Sequence, residues 1–345
     1  MIRFNCDYSE GAHARILAKL TATNYEQTAG YGDDPYCENA KKLIKRQLNN
    51  EDCDIYFLVG GTQVNFTVIA SALRPHQCVL SADTGHINVH ETGAVEATGH
   101  KIIPLPSRHA KVCADDVEKA FHEHFSSPIK EHLSQPKMLY ISHPTESGSL
   151  YTKDELRKLK EICRTYGAYL YLDGARLGYG LAAEGTDVTL PDLAELCDAF
   201  YIGGTKVGAL FGEAVVLCHP DLRHEFRYHI KLRGALLAKG RLLGIQFETL
   251  FEDGLYFELG KHADTLAARI RDAFAQKGFP FLAPSATNQQ FPILPHALCD
   301  KLAEKYEFEV WEPVDDGHSA VRFCTSWATR PEDVDALVQD ILCLA

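Results

Sequence analysis

The sequence predicts an α/β protein with a mainly parallel central sheet and a smaller C-terminal α+β domain. Two observations lead to this fold class. Short apolar runs alternate with polar, helix-length stretches up to about residue 220, and the later part of the chain has long helices followed by short strands. Strands that alternate with helices form mainly parallel sheets covered on both faces. We therefore predict a large domain over residues 1–245, including an N-terminal arm, and a small domain over residues 246–345.

The predicted strands of the large domain are short apolar runs. They cover residues 54–59, 77–80, 101–103, 138–142, 169–172, 200–202 and 214–218. A helix is predicted at 66–73 before Pro75, and another at 152–166, where Thr152 and Glu155 fit a capping box. Open α/β sheets bind ligands at the carboxyl ends of their strands, so the residues directly after these strands are candidate functional residues.

The C-terminal part of the chain shows a different pattern. Its predicted elements are helices at 241–251, 256–277 and 331–344, and strands at 289–294, 307–311 and 320–324. This order of long helices and short strands indicates the smaller α+β domain.

Composition and charge exclude several classes of protein. The 345 residues are 46% hydrophobic and 24% charged, which is ordinary for a globular protein and excludes a disordered chain or a coiled coil. The net charge is −12 and there is no basic stripe, so we expect neither nucleic acid nor membrane as a partner. The eleven scattered cysteines lack a C-x-x-C pair, which suits reduced thiols. Because the first residues also lack the apolar run of a signal peptide, we expect a cytoplasmic protein.

A glycine pair follows the first predicted strand of the sheet. Gly60 and Gly61 allow close backbone approach, and Thr62 begins a stretch where a helix N-terminus would direct free N–H groups at an anion. The segment has neither the Walker A pattern nor a G-x-G-x-x-G fingerprint. It is therefore either a phosphate cradle or an ordinary strand-to-helix turn.

Two later strand ends carry charged side chains. Asp173 and Arg176 follow the strand at 169–172, and Lys206 follows the strand at 200–202. A lysine that can form a Schiff base, a carboxylate that can pair with a pyridinium and a Gly-Thr phosphate cradle together make up a pyridoxal-phosphate (PLP) site. Separately, each charge would more often be a solvated loop residue.

The sequence as a whole resembles the threonine aldolase and β-eliminating lyase family of the aspartate-aminotransferase-like PLP superfamily. The resemblance extends over most of the chain and is strongest to low-specificity threonine aldolases. It rests on motifs in the family's order: Tyr31-Gly-Asp-Asp-Pro35, Gly61-Thr62-x-x-Asn65, His86-Ile with Glu91-x-Gly93, Asp173-Gly-Ala-Arg176, Gly204-Thr-Lys206 and Val321-Arg322-Phe-Cys-Thr-Ser-Trp327. It implies the PLP-dependent transferase-like fold, known as fold type I, and PLP as cofactor.

The resemblance also implies roles for individual residues near the cofactor. Lys206 resembles the lysine that forms the Schiff base, and Asp173 the partner of the pyridine nitrogen. Gly61 and Thr62 resemble the phosphate binders. His86 resembles the imidazole stacked on the cofactor and is the leading candidate base, with Glu146 as the alternative. Arg176 looks like the arginine near the cofactor's phenolic oxygen.

Further residues are implied for the substrate and for a neighbouring subunit. Arg322 resembles the arginine that binds the substrate carboxylate, and Tyr31 and Glu146 are further candidates for substrate contacts. Cys6 stands where many members have a serine, and a thiol is a weaker donor.

The family also implies a homo-oligomer, dimer or tetramer, in which a cation of one subunit reaches the phosphate in another. Lys239 or Arg241 could serve. His86 and His90 have the spacing of a helical metal pair, but no third ligand is evident, so we expect no metal.

The implied function is PLP-dependent cleavage of β-hydroxy amino acids like L-threonine or L-allo-threonine to glycine and an aldehyde. Two alternatives remain open at this point. One is a PLP-dependent β-eliminating lyase, which uses the same core residues on another amino acid. The other is a regulatory protein that binds the cofactor without catalysis.

Overall fold

The computed structural model describes residues 1–343. The strands are β1 (Ile2–Arg3), β2 (Asp54–Leu58), β3 (Gln77–Ala82), β4 (Ile102–Leu105), β5 (Ser107–Arg108), β6 (Lys111–Val112), β7 (Gln135–Ser142), β8 (Tyr169–Asp173), β9 (Ala199–Gly203), β10 (Glu213–Leu217), β11 (Gln289–Gln290), β12 (Ile293–Pro295), β13 (Tyr306–Glu307), β14 (Glu309–Asp315) and β15 (His318–Cys324).

Helices separate most of these strands. They are α1 (Ala14–Ala22), α2 (Pro35–Leu48), α3 (Gly61–Ala72), α4 (His86–Val89), α5 (Ala114–Ser126), α6 (Lys153–Thr165), α7 (Leu177–Ala182), α8 (Leu190–Leu196), α9 (Pro220–Arg223), α10 (Phe226–Leu232), α11 (Arg241–Phe251), α12 (Leu255–Gln276), α13 (His296–Ala303) and α14 (Pro331–Leu342). No helix within residues 1–343 combines the length and apolar character that a bilayer crossing needs.

The central sheet has seven strands in the order β2-β10-β9-β8-β7-β3-β4. β10 runs antiparallel to both of its neighbours, and the pairs from β9 to β4 are parallel. All of the strands predicted for the large domain lie in this sheet. The predicted α/β class with a mainly parallel sheet is therefore confirmed.

Alternating side chains of the central strands pack on the two faces of the sheet. Leu170 and Leu172 of β8 belong to one apolar cluster, whereas Tyr171 belongs to the cluster on the other face. Tyr140 of β7 and Tyr201 of β9 lie in the same cluster as Tyr171. Because residues two apart in a strand share a face, these tyrosines lie on the side from which Asp173 projects.

Several predicted helices agree with the structure. Thr152 and Glu155 form the predicted capping box at the start of α6, and α11 has the predicted bounds. The helix predicted at 66–73 begins earlier, at Gly61, because α3 starts almost directly after β2. Its first turn, Gly61 to Asn65, is mostly polar and therefore lacks the apolar pattern that predicts a helix from residue 66 onward.

The C-terminal part of the chain forms its own small sheet, in which β11, β12 and β14 all pair antiparallel with β15. The strand predicted at 289–294 is two strands, because Pro292 lacks a backbone donor and interrupts the ladder. The strand predicted at 307–311 is divided between β13 and β14. The last helix ends at Leu342, and Leu344, its predicted end, lies outside the described residues.

The first strand pairs with this C-terminal part and not with the central sheet. Ile2 of β1 is the register partner of Tyr306 in β13, and Phe4 packs in the C-terminal apolar cluster. Helix α12 packs against both α7 and α14. The division near residue 245 stays a prediction.

Candidate active site

The loops at the carboxyl ends of β2, β7, β8 and β9 enclose a cavity of about 300 Å³. Many of the predicted site residues line it: Gly61, Thr62, His86, Glu146, Asp173, Arg176 and Lys206. Tyr8, Tyr201 and Glu213 also contribute to the wall. The carboxyl edge of the sheet thus brings together side chains that are far apart in the sequence, as open α/β sheets do.

Asp173 is buried at the end of β8 and accepts four hydrogen bonds. Oδ2 accepts from the Tyr140 hydroxyl (2.6 Å) and from Asn65 Nδ2 (3.0 Å). Oδ1 accepts from the Tyr201 hydroxyl (2.5 Å) and from the Ala175 N–H (2.9 Å). These donors fix the orientation of the carboxylate in the cavity wall.

Two glycines let the ends of β8 and β9 approach each other. A Cβ on Gly174 would lie 1.9 Å from the carbonyl oxygen of Tyr201, and one on Gly203 would lie 2.3 Å from that of Ala175. Larger residues at either position would force the strand ends apart. The Gly174 that follows Asp173 is therefore required by packing.

Helix α3 begins at the cavity. Within residues 1–343 no side chain caps its first turn, since Gly60 holds the N-cap position. Gly61 and Thr62 line the cavity at this helix end. Free N–H groups and the helix dipole make such an end suitable for a phosphate.

His86 lies at the start of the short helix α4 and is tied to two carboxylates. Its Nδ1 lies 2.7 Å from Glu91 Oε1, and its backbone N–H donates to Glu146 Oε1 at 3.0 Å. Burial alone would lower the pKa of His86, but the hydrogen bond to Glu91 and the nearby Asp173 charge outweigh it and raise that pKa. Since Nδ1 faces Glu91, Nε2 is the ring nitrogen left for a ligand.

Glu146 and Glu213 are further acidic side chains of the cavity wall. Ser142 Oγ donates to Glu146 Oε1 at 2.7 Å, and burial raises the pKa of the Glu146 carboxyl. Glu213 accepts from the Gly204 N–H (3.0 Å) and from Thr205 Oγ1 (2.7 Å). Burial raises the pKa of Glu213 to about 8.

Lys206 follows β9 in a turn. The hydrogen bonds that Glu213 accepts from Gly204 and Thr205 hold this turn in place. The Tyr179 hydroxyl donates to the carbonyl oxygen of Lys206. Burial, together with the positive charge of Arg176, lowers the pKa of the Lys206 amine. A lowered pKa raises the fraction of neutral amine, which is the form that reacts as a nucleophile.

Arg176 forms a buried ion pair with Asp7 of the N-terminal segment. Nε and Nη2 of Arg176 donate to the two carboxylate oxygens at 2.7 and 3.0 Å. Asn288 Nδ2 donates to the same carboxylate at 2.9 Å. Burial would raise the pKa of Asp7, but the positive charges of Arg176 and Lys206 hold it at about 2.

Arg322 lies in β15, outside the set of residues that line the cavity. Its guanidinium donates to Gln289 Oε1 (3.2 Å) and to the carbonyl oxygen of Asn5 (2.9 Å), and it forms an ion pair with Glu309. Burial raises the pKa of Tyr8, a residue of the cavity wall, and the positive charge of Arg322 opposes part of this rise. Arg322 therefore flanks the cavity from the C-terminal part of the chain.

The structure places the remaining predicted residues away from the cavity. Cys6 does not line it, and its Sγ lies 3.1 Å from Ser9 Oγ. Tyr31 lines two other surface depressions. Arg241 donates to two backbone carbonyls of the N-terminal segment, and Lys239 is exposed.

A second cavity, of about 350 Å³, shares Glu146 with the first one. His90 and Trp311 contribute to its wall, and the His86 and His90 rings are 5.5 Å apart. Within residues 1–343, no three His, Cys, Asp or Glu side chains are arranged to hold a metal ion.

The chemical groups that line the first cavity fit PLP. The uncapped end of α3 suits its phosphate, the fixed carboxylate of Asp173 suits a protonated ring nitrogen, and the Lys206 amine with its lowered pKa suits the aldehyde. The fit rests on groups that have different chemistry and share one cavity of about 300 Å³.

Sequence reasoning missed the residues that hold these groups in place. Tyr140 and Tyr201 fix Asp173, Asp7 fixes Arg176, and Glu309 pairs with Arg322. For the tyrosines a signal existed, since Tyr140 and Tyr201 interrupt strands that are otherwise apolar. The two carboxylates carried no local signal, because their partners are distant in the sequence.

Comparisons with known proteins agree with the geometry. The model of the beta-eliminating lyase family matches residues 7–297. Low specificity L-threonine aldolases from Pseudomonas aeruginosa and from a further Pseudomonas strain are 26% and 28% identical, each over 98% of this chain and 96% of its own length.

Solved structures also include a threonine aldolase that is similar to this chain over nearly its whole length. A threonine aldolase from Leishmania major has a TM-score of 0.96 and 44% sequence identity, over 99% of this chain and 98% of that chain. An aspartate aminotransferase from Thermus thermophilus has a TM-score of 0.72 at 14% identity, over 99% of this chain and 91% of that chain, which shows the shared fold.

Proposed function

The chain belongs to the beta-eliminating lyase family, and from that premise we propose that it is a PLP-dependent aldolase that cleaves β-hydroxy amino acids similar to L-threonine or L-allo-threonine. The products are glycine and an aldehyde. The observation that carries the proposal is the meeting of Lys206, Asp173 and the Gly61-Thr62 helix end in one cavity. The similarity to proteins named threonine aldolase, over nearly the whole chain, supports this choice of reaction.

Each part of the cavity has a role in holding the cofactor. Lys206 would hold PLP through its amine, Asp173 would pair with the ring nitrogen, and Gly61 and Thr62 would bind the phosphate. His86 would lie against the ring, and Arg176 near the phenolic oxygen. When bound, PLP supplies an electron sink for the bonds at the α-carbon of an amino acid.

Cleavage between Cα and Cβ requires a base for the β-hydroxyl proton. We assign this role to Nε2 of His86, because Glu91 holds the other ring nitrogen. Glu146 is the alternative base, since burial raises its pKa towards the range in which a carboxylate accepts protons well. Both side chains line the cavity, and Glu146 also lines the second one.

Arg322 would bind the α-carboxylate of the amino acid, because a planar guanidinium suits a bidentate acceptor. Its position in β15 would place the substrate between the central sheet and the C-terminal part of the chain. Cys6 and Tyr31 remain candidates for weaker contacts. Tyr31 lies outside the cavity of its own chain, so its role requires a second subunit.

We further propose a cytoplasmic homo-oligomer, dimer or tetramer. Tyr228, which lines the same surface depression as Tyr31, is an exposed apolar side chain that suits burial against a second copy, and Leu232 of the same helix α10 is exposed as well. The exposed Lys239 is better placed than Arg241 to reach a neighbouring subunit, because Arg241 already binds carbonyls of its own chain. All eleven cysteines are free thiols, which suits a reducing compartment.

A product assay tests the proposed reaction. Purified holoenzyme should release glycine and an aldehyde from threonine, allo-threonine and phenylserine, and no keto acid with ammonia from serine or cysteine. Lys206→Ala should abolish cleavage, whereas Lys261→Ala, a lysine outside the cavity, should not. Keto acid and ammonia as the main products would show β-elimination instead.

A further inference from the structure

Arg322 and Glu309 face each other across two strands. They are register partners in the antiparallel pair β14 and β15. Side chains of directly opposed residues project from the same face of a sheet and come into contact. The ion pair between Glu309 Oε2 and Arg322 Nη2 is therefore set by the strand register.

The guanidinium of Arg322 has other contacts that hold its orientation. Nη1 donates to Gln289 Oε1, Nη2 donates to the carbonyl of Asn5, and the guanidinium carbon lies 5.2 Å from the centre of the Trp311 ring. The Arg322 side chain is only 10% exposed. If Glu309 moved away, these contacts would still keep the guanidinium in position.

Glu309 is held much more weakly than its partner. Its side chain is 45% exposed, and within the described residues its strand β14 pairs only with β15. Ion pairs with an exposed partner contribute little to stability, because water solvates the released charge. The Glu309 carboxylate can therefore leave Arg322 at small cost.

We propose that Glu309 sets the affinity of the amino-acid site by competing with the substrate's α-carboxylate for Arg322. This inference rests on the proposed function, in which Arg322 binds that carboxylate. A bidentate carboxylate needs two guanidinium N–H groups, and the two N–H groups of Nη2 are taken by the Asn5 carbonyl and by Glu309. Binding of the amino acid must displace Glu309, so the competition raises KM and leaves the chemical step unchanged.

The test uses Glu309→Gln and Glu309→Ala in the holoenzyme, with Asp316→Asn as the matched control. Asp316 is exposed in the turn between β14 and β15, so the control removes the same charge from the same hairpin. Both Glu309 variants should lower KM for threonine two- to five-fold, with kcat within about twofold of the parent, as the strength of such ion pairs implies. The control should keep the parent's KM.

Calorimetric titration gives a readout that does not depend on turnover. Glycine should bind both Glu309 variants two- to five-fold more tightly than the parent, whereas glycinamide, which lacks the carboxylate, should bind them all equally. Unchanged or weaker glycine binding, or an equal gain for glycinamide, would overturn the inference. A parent that binds glycine but does not cleave threonine would contradict the proposed function alone.

Discussion

Two arginine-carboxylate pairs flank the candidate site, and they differ in burial. In the pair Arg176 and Asp7, the arginine side chain is 13% exposed and the carboxylate is fully buried. In the pair Arg322 and Glu309, the arginine is 10% exposed, but the carboxylate is 45% exposed. The arginines are thus in similar surroundings, and the difference lies in the two acids.

This difference separates a fixed contact from an exchangeable one. Removal of Asp7 would leave the Arg176 charge buried without its partner, and Asn288 Nδ2 would keep the Thr325 carbonyl but lose the carboxylate as an acceptor. Removal of Glu309 would leave Arg322 with Gln289 and the Asn5 carbonyl. The first pair is therefore a fixed part of the proposed cofactor site, whereas the second leaves the arginine of the proposed substrate site able to exchange one carboxylate for another.

The largest expected effect comes from breaking the buried pair. Asp7→Ala should lower the free energy of unfolding by roughly 3–5 kcal/mol, because it leaves a buried charge uncompensated. Glu309→Ala, the matched change in the other pair, should cost less than about 1 kcal/mol. Urea unfolding of the purified variants measures both. Equal losses would show that burial of the acid does not distinguish the pairs.

Replacement of the arginines themselves should separate substrate binding from cofactor binding. Arg322→Lys loses at least one charge-assisted hydrogen bond, at about 1.5–3 kcal/mol, which corresponds to a rise in KM of roughly 10- to 150-fold. Arg176→Lys should also change the absorption spectrum of the bound cofactor. Steady-state kinetics and spectra of both variants check this. If only Arg176→Lys impaired substrate binding and the cofactor spectrum stayed unchanged, the two roles would have to be exchanged.

The loss of stability at acid pH should depend on the buried pair of Asp7 and Arg176. The pKa of Asp7 is about 2 in the folded chain against an ordinary value of 3.8, which we take for the unfolded chain, so the depressed pKa contributes about 2 kcal/mol of stability. This contribution is fully present above about pH 5 and is lost as the pH falls towards 2. Unfolding free energies between pH 6 and 3 should fall less steeply in Asp7→Asn than in the parent. If the unfolding free energy fell equally steeply with pH in both proteins, the depressed pKa could not be assigned to Asp7.

The smallest expected effect concerns the orientation of Arg322. Trp311→Leu removes the ring over the guanidinium, an interaction of about 0.5–1 kcal/mol at a partly exposed site. KM for threonine should rise roughly two- to five-fold, and Trp311→Phe should recover part of this loss. A change above tenfold would mean that Trp311 has a further contact with the substrate.

The sequence predicted which residues meet at the edge of the central sheet better than it predicted the partners of the two arginines. Lys206, Asp173 and the Gly61-Thr62 pair each lie at or shortly after the end of a strand, so local patterns and one rule about sheet edges were enough to place them together. The pairing of Glu309 with Arg322 depends on strand register, and that of Asp7 with Arg176 on where the N-terminal segment crosses the molecule. Neither leaves a periodic pattern in the sequence.

The pairing of β1 with β13 has a consequence for how the molecule forms. It joins residue 2 to residue 306, so most of the chain lies within the loop that it closes. Asn5 and Asp7 directly follow β1, so closure of that loop brings them near their partners Arg322 and Arg176. Contacts of such high sequence separation are slow to form. During synthesis, the strands from β2 to β10 can pair while the ribosome still holds the C-terminal third. Lys206, Asp173 and the Gly61-Thr62 helix end can therefore come together before the contacts of Asp7 and Glu309 complete the candidate site.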